Sequence, residues 1–417
     1  MRARSLVTTF TLGAVLVAGC QGAPSAPVLT LSGSAVGREA DVVRQQLARF
    51  AASRPGQAVE LRAAPDASDQ RHQLYVQWLN AHAGDPDVLQ LDVVWTPEFA
   101  GAGWILPLDR FHPDTDRFFA ATVAANRWND RLYALPWFVD VGMLYWRTDL
   151  MDRPPESMAA LEAEARGAMA DGTPFGFVWQ GARYEGLVTV FTEFLGAFGG
   201  GIVDGDGRVT VDGPAAVRAL TAMRQQVTSG LVPEAALTWQ EEQTRFAFES
   251  GRAAFMRNWP YAVPLLEDAA ESRVAGRFAV APMPAAPGGT PSAALGGSQL
   301  AVNAYSDQPE DAYALIEFLL APEQVLERAR LVGQYPPLRA LYGTPALGEA
   351  LRADTAALAD IIEAATPRPV TPVYSQLSEV LQIALHRALT GQAEPAAALA
   401  DAAREMRAVL ARAELGA

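Results

Sequence analysis

The chain has 417 residues, half of them apolar, with 33 basic and 47 acidic side chains and a formal charge of −14, enough for about two or three domains with a sizeable core. Every basic residue is Arg and the lone cysteine is Cys20, which excludes phosphate loops ending in Gly-Lys-Ser/Thr, Schiff-base lysines, disulfides, thiol nucleophiles and cysteine-ligated zinc. The histidines (His72, His82, His112 and His386) form no HExxH pair, and the acidic balance lacks the clustered cations that nucleic acid or an anionic membrane surface requires. No cofactor, metal or nucleic acid is expected.

Met1-Arg2-Ala3-Arg4 is a short cationic start, and Leu6 to Val17 is an uncharged apolar run too short to span a bilayer, the pattern of a secretory leader. It ends in Leu16-Val17-Ala18-Gly19-Cys20, which resembles the bacterial lipobox, whose cysteine is acylated after cleavage. Several acyl chains at ~0.8 kcal/mol per buried methylene would hold the mature chain at the outer face of the bacterial cytoplasmic membrane. Gln21 to Pro27 is rich in Pro, Ala and Gly and reads as a flexible leash.

Beyond the leash, Val28–Ser32 is a strand candidate, Gly33–Gly37 a turn, and Arg38–Ala52 a helix with Val43, Leu47 and Phe50 on one face, stopped by Pro55-Gly56. Val59–Arg62 is a second strand, Arg71–Ala83 a second helix and Val88–Val94 a third strand. This alternation predicts an α/β fold with a parallel sheet covered on both faces. From Met158 the pattern turns helical, over Ala160–Ala170, Glu185–Phe198, Pro214–Ser229 and Gln240–Ser250, with late strands at Phe278–Ala281 and Leu300–Asn303 and a closing amphipathic helix from Pro395 to about Leu415. Asp204-Gly205-Asp206-Gly207-Arg208 resembles a calcium loop but lacks its later carboxylates and reads as a β-turn.

In open α/β sheets ligands bind beyond the carboxyl ends of strands. Glu39 follows the first strand, Asp92 lies in the third, and Asp140 sits in Leu135–Gly142; aromatic rings stand beside such groups at Phe138, Tyr184, Trp259 and Tyr261. Carboxylates accept hydroxyl donors, Arg forks donate, and rings cover the C–H faces of sugars. Residue types alone leave helix capping and core packing open for each of these positions.

Several long motifs then occur in one order: Asp85-Pro86-Asp87-Val88, Leu91–Trp95, Gly103–Asp109, Arg131–Pro136, Leu144–Leu150, Gly176–Gly186, Arg257–Tyr261, Leu295–Gly297 and Pro367–Glu379. With them the chain resembles the extracellular solute-binding proteins of ABC sugar importers, in their trehalose/maltose-binding branch. The resemblance implies a two-lobe periplasmic-binding-protein-like fold with a hinge and one disaccharide in the cleft between the lobes. The implied division is leader 1–19, lipidated cysteine and linker 20–27, first lobe 28–138, second lobe 139–291, a return to the first lobe over 292–338, and a helical second-lobe segment 339–417, with crossings near Phe138, Pro291 and Leu338. It implies Glu39, Arg71 and Asp92 as hydroxyl partners of one glucose unit, Asp140 on the opposite side, Trp259 stacked under a sugar face with Tyr261 and Tyr184 nearby, Gly297 on the floor and Arg368 donating from the second lobe.

Two positions depart from the branch: Ser298 stands where some relatives have Trp, and Phe138 where they have Tyr, so a different and roomier pocket is expected. The implied partners are an α-glucoside disaccharide, the membrane permease subunits of the importer with their cytoplasmic ATPase, and the membrane through the lipid; a monomer is expected. A binding protein for another polar solute, such as a glycerophosphodiester, is the alternative, and a lipid-anchored glycosidase a remoter one. On the binding reading, Asp92→Ala and Arg368→Ala weaken sugar binding and leave the unliganded protein's stability nearly intact.

Overall fold

The computed structural model describes residues 28–34, 36–351 and 355–415, so the leader, Cys20 and the leash lie outside it. In chain order the strands are β1 (Leu29–Gly33), β2 (Val59–Ala63), β3 (Val88–Asp92), the short pair β4 (Arg127–Trp128) and β5 (Arg131–Leu132), β6 (Leu135–Val141), β7 (Met143–Arg147), β8 (Phe175–Val178), β9 (Ala253–Asn258), β10 (Phe278–Pro282) and β11 (Leu295–Val302). They form one five-stranded sheet, β2-β1-β3-β11-β6, and one four-stranded sheet, β10-β7-β9-β8, beside the β4-β5 hairpin.

The first three strands pair in parallel, as their alternation with helices predicts. The sheet is nevertheless mixed, because β11 runs antiparallel to both β3 and β6. Local patterning could not announce this, since β11 returns from the far end of the chain. The helix expected over 71–83 is Ser68–Asn80, and the strand expected over 300–303 is the longer Leu295–Val302. Strands β6, β7, β8 and β9 were not expected. Their side chains are buried on both faces, so period-2 alternation is lost; β9 is buried throughout even at Arg257 and Asn258.

Only Gly142 separates β6, in the first sheet, from β7, in the second. A Cβ there would stand 2.5 Å from Arg257 Nη2 and 2.6 Å from Glu193 Cδ. The chain returns to the first sheet between Pro282 and Leu295, and the later segment bridges Val139 through Tyr335 and Ala294 through Thr366 before reaching the helix Tyr374–Leu389.

Each lobe has its own core. Leu29, Leu31, Leu47, Phe50, Leu300 and Leu315 pack together around the first sheet. Phe177, Phe191, Phe194 and Phe255 do so around the second, and are joined by Leu385, Leu399 and Met406 from the two C-terminal helices. Each fully buried Leu or Phe contributes about 1.5–3 kcal/mol, which is why the alternating apolar positions of Pro395–Leu415 dock on the second lobe. Between Asp204 and Arg208 the chain makes the expected turn, with Asp204 Oδ1 accepting from the backbone N–H groups of Asp206 and Arg208.

Candidate functional site

The two sheets face one another across a cavity of about 280 Å³. All ten residues singled out from the sequence line it: Glu39, Arg71, Asp92, Phe138, Asp140, Tyr184, Trp259, Tyr261, Gly297 and Arg368. None of them lines the larger groove of about 1070 Å³ between Pro260–Pro264, β10 and Glu349–Leu351.

On the first-lobe side, Glu39 opens the helix Glu39–Ser53 directly behind β1. It accepts from Ser34 Oγ at 2.5 Å and Gln334 Nε2 at 3.0 Å, and its Oε1 is 3.1 Å from Arg328 Nη2. Asp92 ends β3; its Oδ1 is 3.0 Å from Arg368 Nη2, and its Oδ2 accepts from Ser68 Oγ at 3.2 Å. Arg71 donates through Nη1 to the carbonyls of Pro65 and Asp66 and lies over the Trp95 ring. Arg368 also holds Glu185 Oε1 at 2.5 Å, so one guanidinium joins the end of β3 to the first residue of the helix Glu185–Ala197.

Across the cavity Asp140 is in register with Gly296. The missing side chain at Gly296 lets the Trp259 ring lie against β11, since a Cβ there would stand 3.0 Å from Trp259 Cζ3. Gly297 has φ +114° and would place a Cβ 3.0 Å from Val139 Cα, so this floor position demands glycine. The Arg257 guanidinium lies 3.9 Å from the Trp259 ring centroid and is anchored to Glu193 Oε2 through Nε at 2.8 Å. Tyr261 donates to Glu242 Oε1 at 2.7 Å.

Residues 37–326 match the bacterial extracellular solute-binding protein family. That match spans well over half of the chain. The chain belongs to this family. A probable ABC transporter-binding protein of Deinococcus radiodurans is 36% identical over 404 residues, covering 93% of this chain and 95% of its own. Among solved structures, maltose-bound MalE3 of T. maritima superposes with a TM-score of 0.87 at 39% identity, over 91% of this chain and 98% of that one. The GacH receptor of Streptomyces glaucescens, solved unliganded and with acarbose, gives 0.83 at 24% identity over 92% and 98%, a likeness of fold alone. The fold is the two-lobe α/β architecture of these proteins. No helix among the described residues is long and apolar enough to cross a membrane.

The solute-binding protein's cavity is electrostatically uneven. Burial, and then the charge of Glu39, push the Asp140 carboxyl up to about 7 against the pull of Arg257. Burial and Glu185 raise Asp69, at the lobe boundary, to about 6. Burial alone would lower Arg368, but the carboxylates of Asp92 and Glu185 and the Tyr374 hydroxyl outweigh it and fix the cation. Burial lowers Arg328 to about 10, opposed by Glu39.

Sequence reasoning missed the residues that satisfy these groups. Gln90 accepts from the Ser34 N–H at 2.8 Å and donates to Ser298 Oγ at 2.9 Å. Ser298, the position expected to make the pocket roomier, is buried and tied into the wall through Gln90. Glu185, Glu241, Glu242 and Gln334 also line the cavity. The polar run Gln240-Glu241-Glu242-Gln243 at a helix start was the one visible signal for part of this set.

Proposed function

We propose that this solute-binding protein captures an α-glucoside disaccharide of the maltose, trehalose or sucrose kind between its lobes and delivers it, without turnover, to the permease of an ABC importer. The observation that carries the reading is the pairing of carboxyl groups, which only accept once ionised, with a partly exposed indole: Asp140 and Asp92 face the same cavity as Trp259. Hydroxyl donors satisfy the first and a sugar's C–H face covers the second. The volume of about 280 Å³ is near the small end of ligand cavities, about 300–1,000 Å³, which suits two rings better than a long glucan. Two similarities support the assignment: a maltose-bound relative at 39% identity and a curated relative named as an ABC transporter-binding protein.

A phosphodiester fits less well, because Asp140, Glu241 and Glu242 would meet its charge while Arg368 is already shared by two carboxylates. In this reading Cys20 carries the lipid that holds the protein beside its permease, and the ten cavity residues form the binding site. The experiment is a thermal-shift screen of residues 21–417 against maltose, trehalose, sucrose, longer maltodextrins and glycerophosphocholine, with free glucose assayed in parallel. A ligand bound only by the folded state raises the midpoint by mass action. A shift with one or two α-glucosides and no glucose released is expected. A shift with glycerophosphocholine alone, or release of glucose, rejects the reading.

A further inference from the structure

Most polar groups of the cavity are already satisfied by the protein itself. Glu39 is held by Ser34, Gln334 and Arg328, and Glu185 by Arg368 and Tyr374. Gln240 and Gln243 cap their own helix reciprocally, while Glu242 is taken by Arg245 and Tyr261. Buried polar atoms left unpaired are costly, so those that remain mark where a ligand's own polar atoms belong.

Asp140 Oδ1 and Arg368 Nε are among the atoms left, and on the second-lobe wall two neighbouring side chains are held by none of the partners above. The Tyr184 residue is buried with only 4% exposure, yet its hydroxyl makes no well-formed hydrogen bond within the protein. The Glu241 carboxylate lines the same cavity beside it. Tyr184 and Glu241 stand side by side, close enough that the charge of Glu241 and then its hydrogen bonding to the phenol add to the burial that raises the Tyr184 hydroxyl. Gly186 makes the arrangement possible, because a Cβ there would stand 2.8 Å from Tyr184 Cε1 and displace the ring. A carboxylate that only accepts and a phenol that can donate, side by side, are the complement of a single hydroxyl, which donates to one and accepts from the other.

We infer that Tyr184 and Glu241 together read one hydroxyl of the bound sugar and set which α-glucoside the cleft selects. The inference rests on the sugar-binding reading above and adds a specificity-determining pair to it. Glu241, absent from the residues that the sequence pointed to, is its second half.

The test is isothermal titration of wild type, Tyr184→Phe, Glu241→Gln and the double variant with maltose, trehalose and the monodeoxy derivatives of whichever binds. Each single substitution should weaken the parent sugar about tenfold or more. The double variant should lose less than the product of the two, since both groups address one hydroxyl. One deoxy position should cost wild type a similar factor and the double variant almost nothing. Unliganded melting midpoints should stay within a degree or so of wild type, which separates this role from a structural one. Wild-type affinity in both single variants, or equal losses for every deoxy analogue in every variant, overturns the inference while leaving sugar binding in place. Failure of wild type to bind either sugar overturns both together.

Discussion

Arg368 Nη2 lies 3.0 Å from Asp92 Oδ1, and through this contact the last segment to cross between the lobes is fastened to the end of β3. The same guanidinium holds Glu185, and the side chains of all three are exposed by 15% or less. Removing the cation would leave two buried carboxylates facing each other, with Asp69 beside them. Breaking a buried pair from one side costs about 3–5 kcal/mol. Arg368→Met should therefore lower unliganded stability in a denaturant titration by roughly that amount, reversing the expectation drawn from sequence that Arg368 and Asp92 could be replaced without such a loss. A variant as stable as wild type would show that the pair contributes nothing net.

Gly142 is the joint between the sheets, and its neighbours Glu193 and Arg257 are fully buried and paired with one another. Gly142→Ala would force its methyl into that pair. Overpacking of this kind costs about 1–3 kcal/mol, and displacement of the Arg257 guanidinium from beneath Trp259 should also weaken sugar binding. Melting and titration of the one variant check both effects; a loss of affinity with unchanged stability would place the fault elsewhere.

Much of the first lobe was legible because its strands and helices carry their own periodicity: Val43, Leu47 and Phe50 mark one helical face, and all three are buried. Of the second sheet only β10, expected over 278–281, was legible; β9 buries Arg257 and Asn258 beside Ala, Phe and Met and so has no alternation to read. The cavity residues were reached through motif resemblance, and their roles were blurred for a physical reason. Glu39 finds Arg328 at a separation of 289 residues, and Arg368 finds Asp92 at 276. No local pattern encodes such pairs, so a residue that looked free to bind a hydroxyl is partly engaged in holding the wall.

Trp259 is only partly buried and lies between Gly296 and Arg257. If a sugar covers its open face, Trp259→Ala should weaken sugar binding by a few kcal/mol at most, from lost area and stacking. Tryptophan fluorescence should shift on sugar addition in wild type and respond less in the variant. Unchanged affinity would make the ring a lid on Arg257 and nothing more.

Asp140 sets a pH dependence with a definite sign. Its carboxyl is raised from 3.8 to about 7, chiefly by burial and then by Glu39, with Asp92 adding and Arg257 and Arg328 opposing. Between those values the folded protein keeps a proton that the unfolded chain has released, so the contribution of Asp140 to stability falls as pH rises from about 4 to about 7 and stays low above that. Asp69, raised to about 6, acts in the same direction over a narrower range. Unliganded Asp140→Asn should therefore melt above wild type at pH 8 and converge with it near pH 4, and parallel melting curves across that range would remove Asp140 as the source. A sugar hydroxyl donating to Asp140 favours the ionised form, since Oδ1 has no partner within the protein. Wild-type affinity should accordingly rise as pH passes through about 7, and the Asn variant should show a flatter profile.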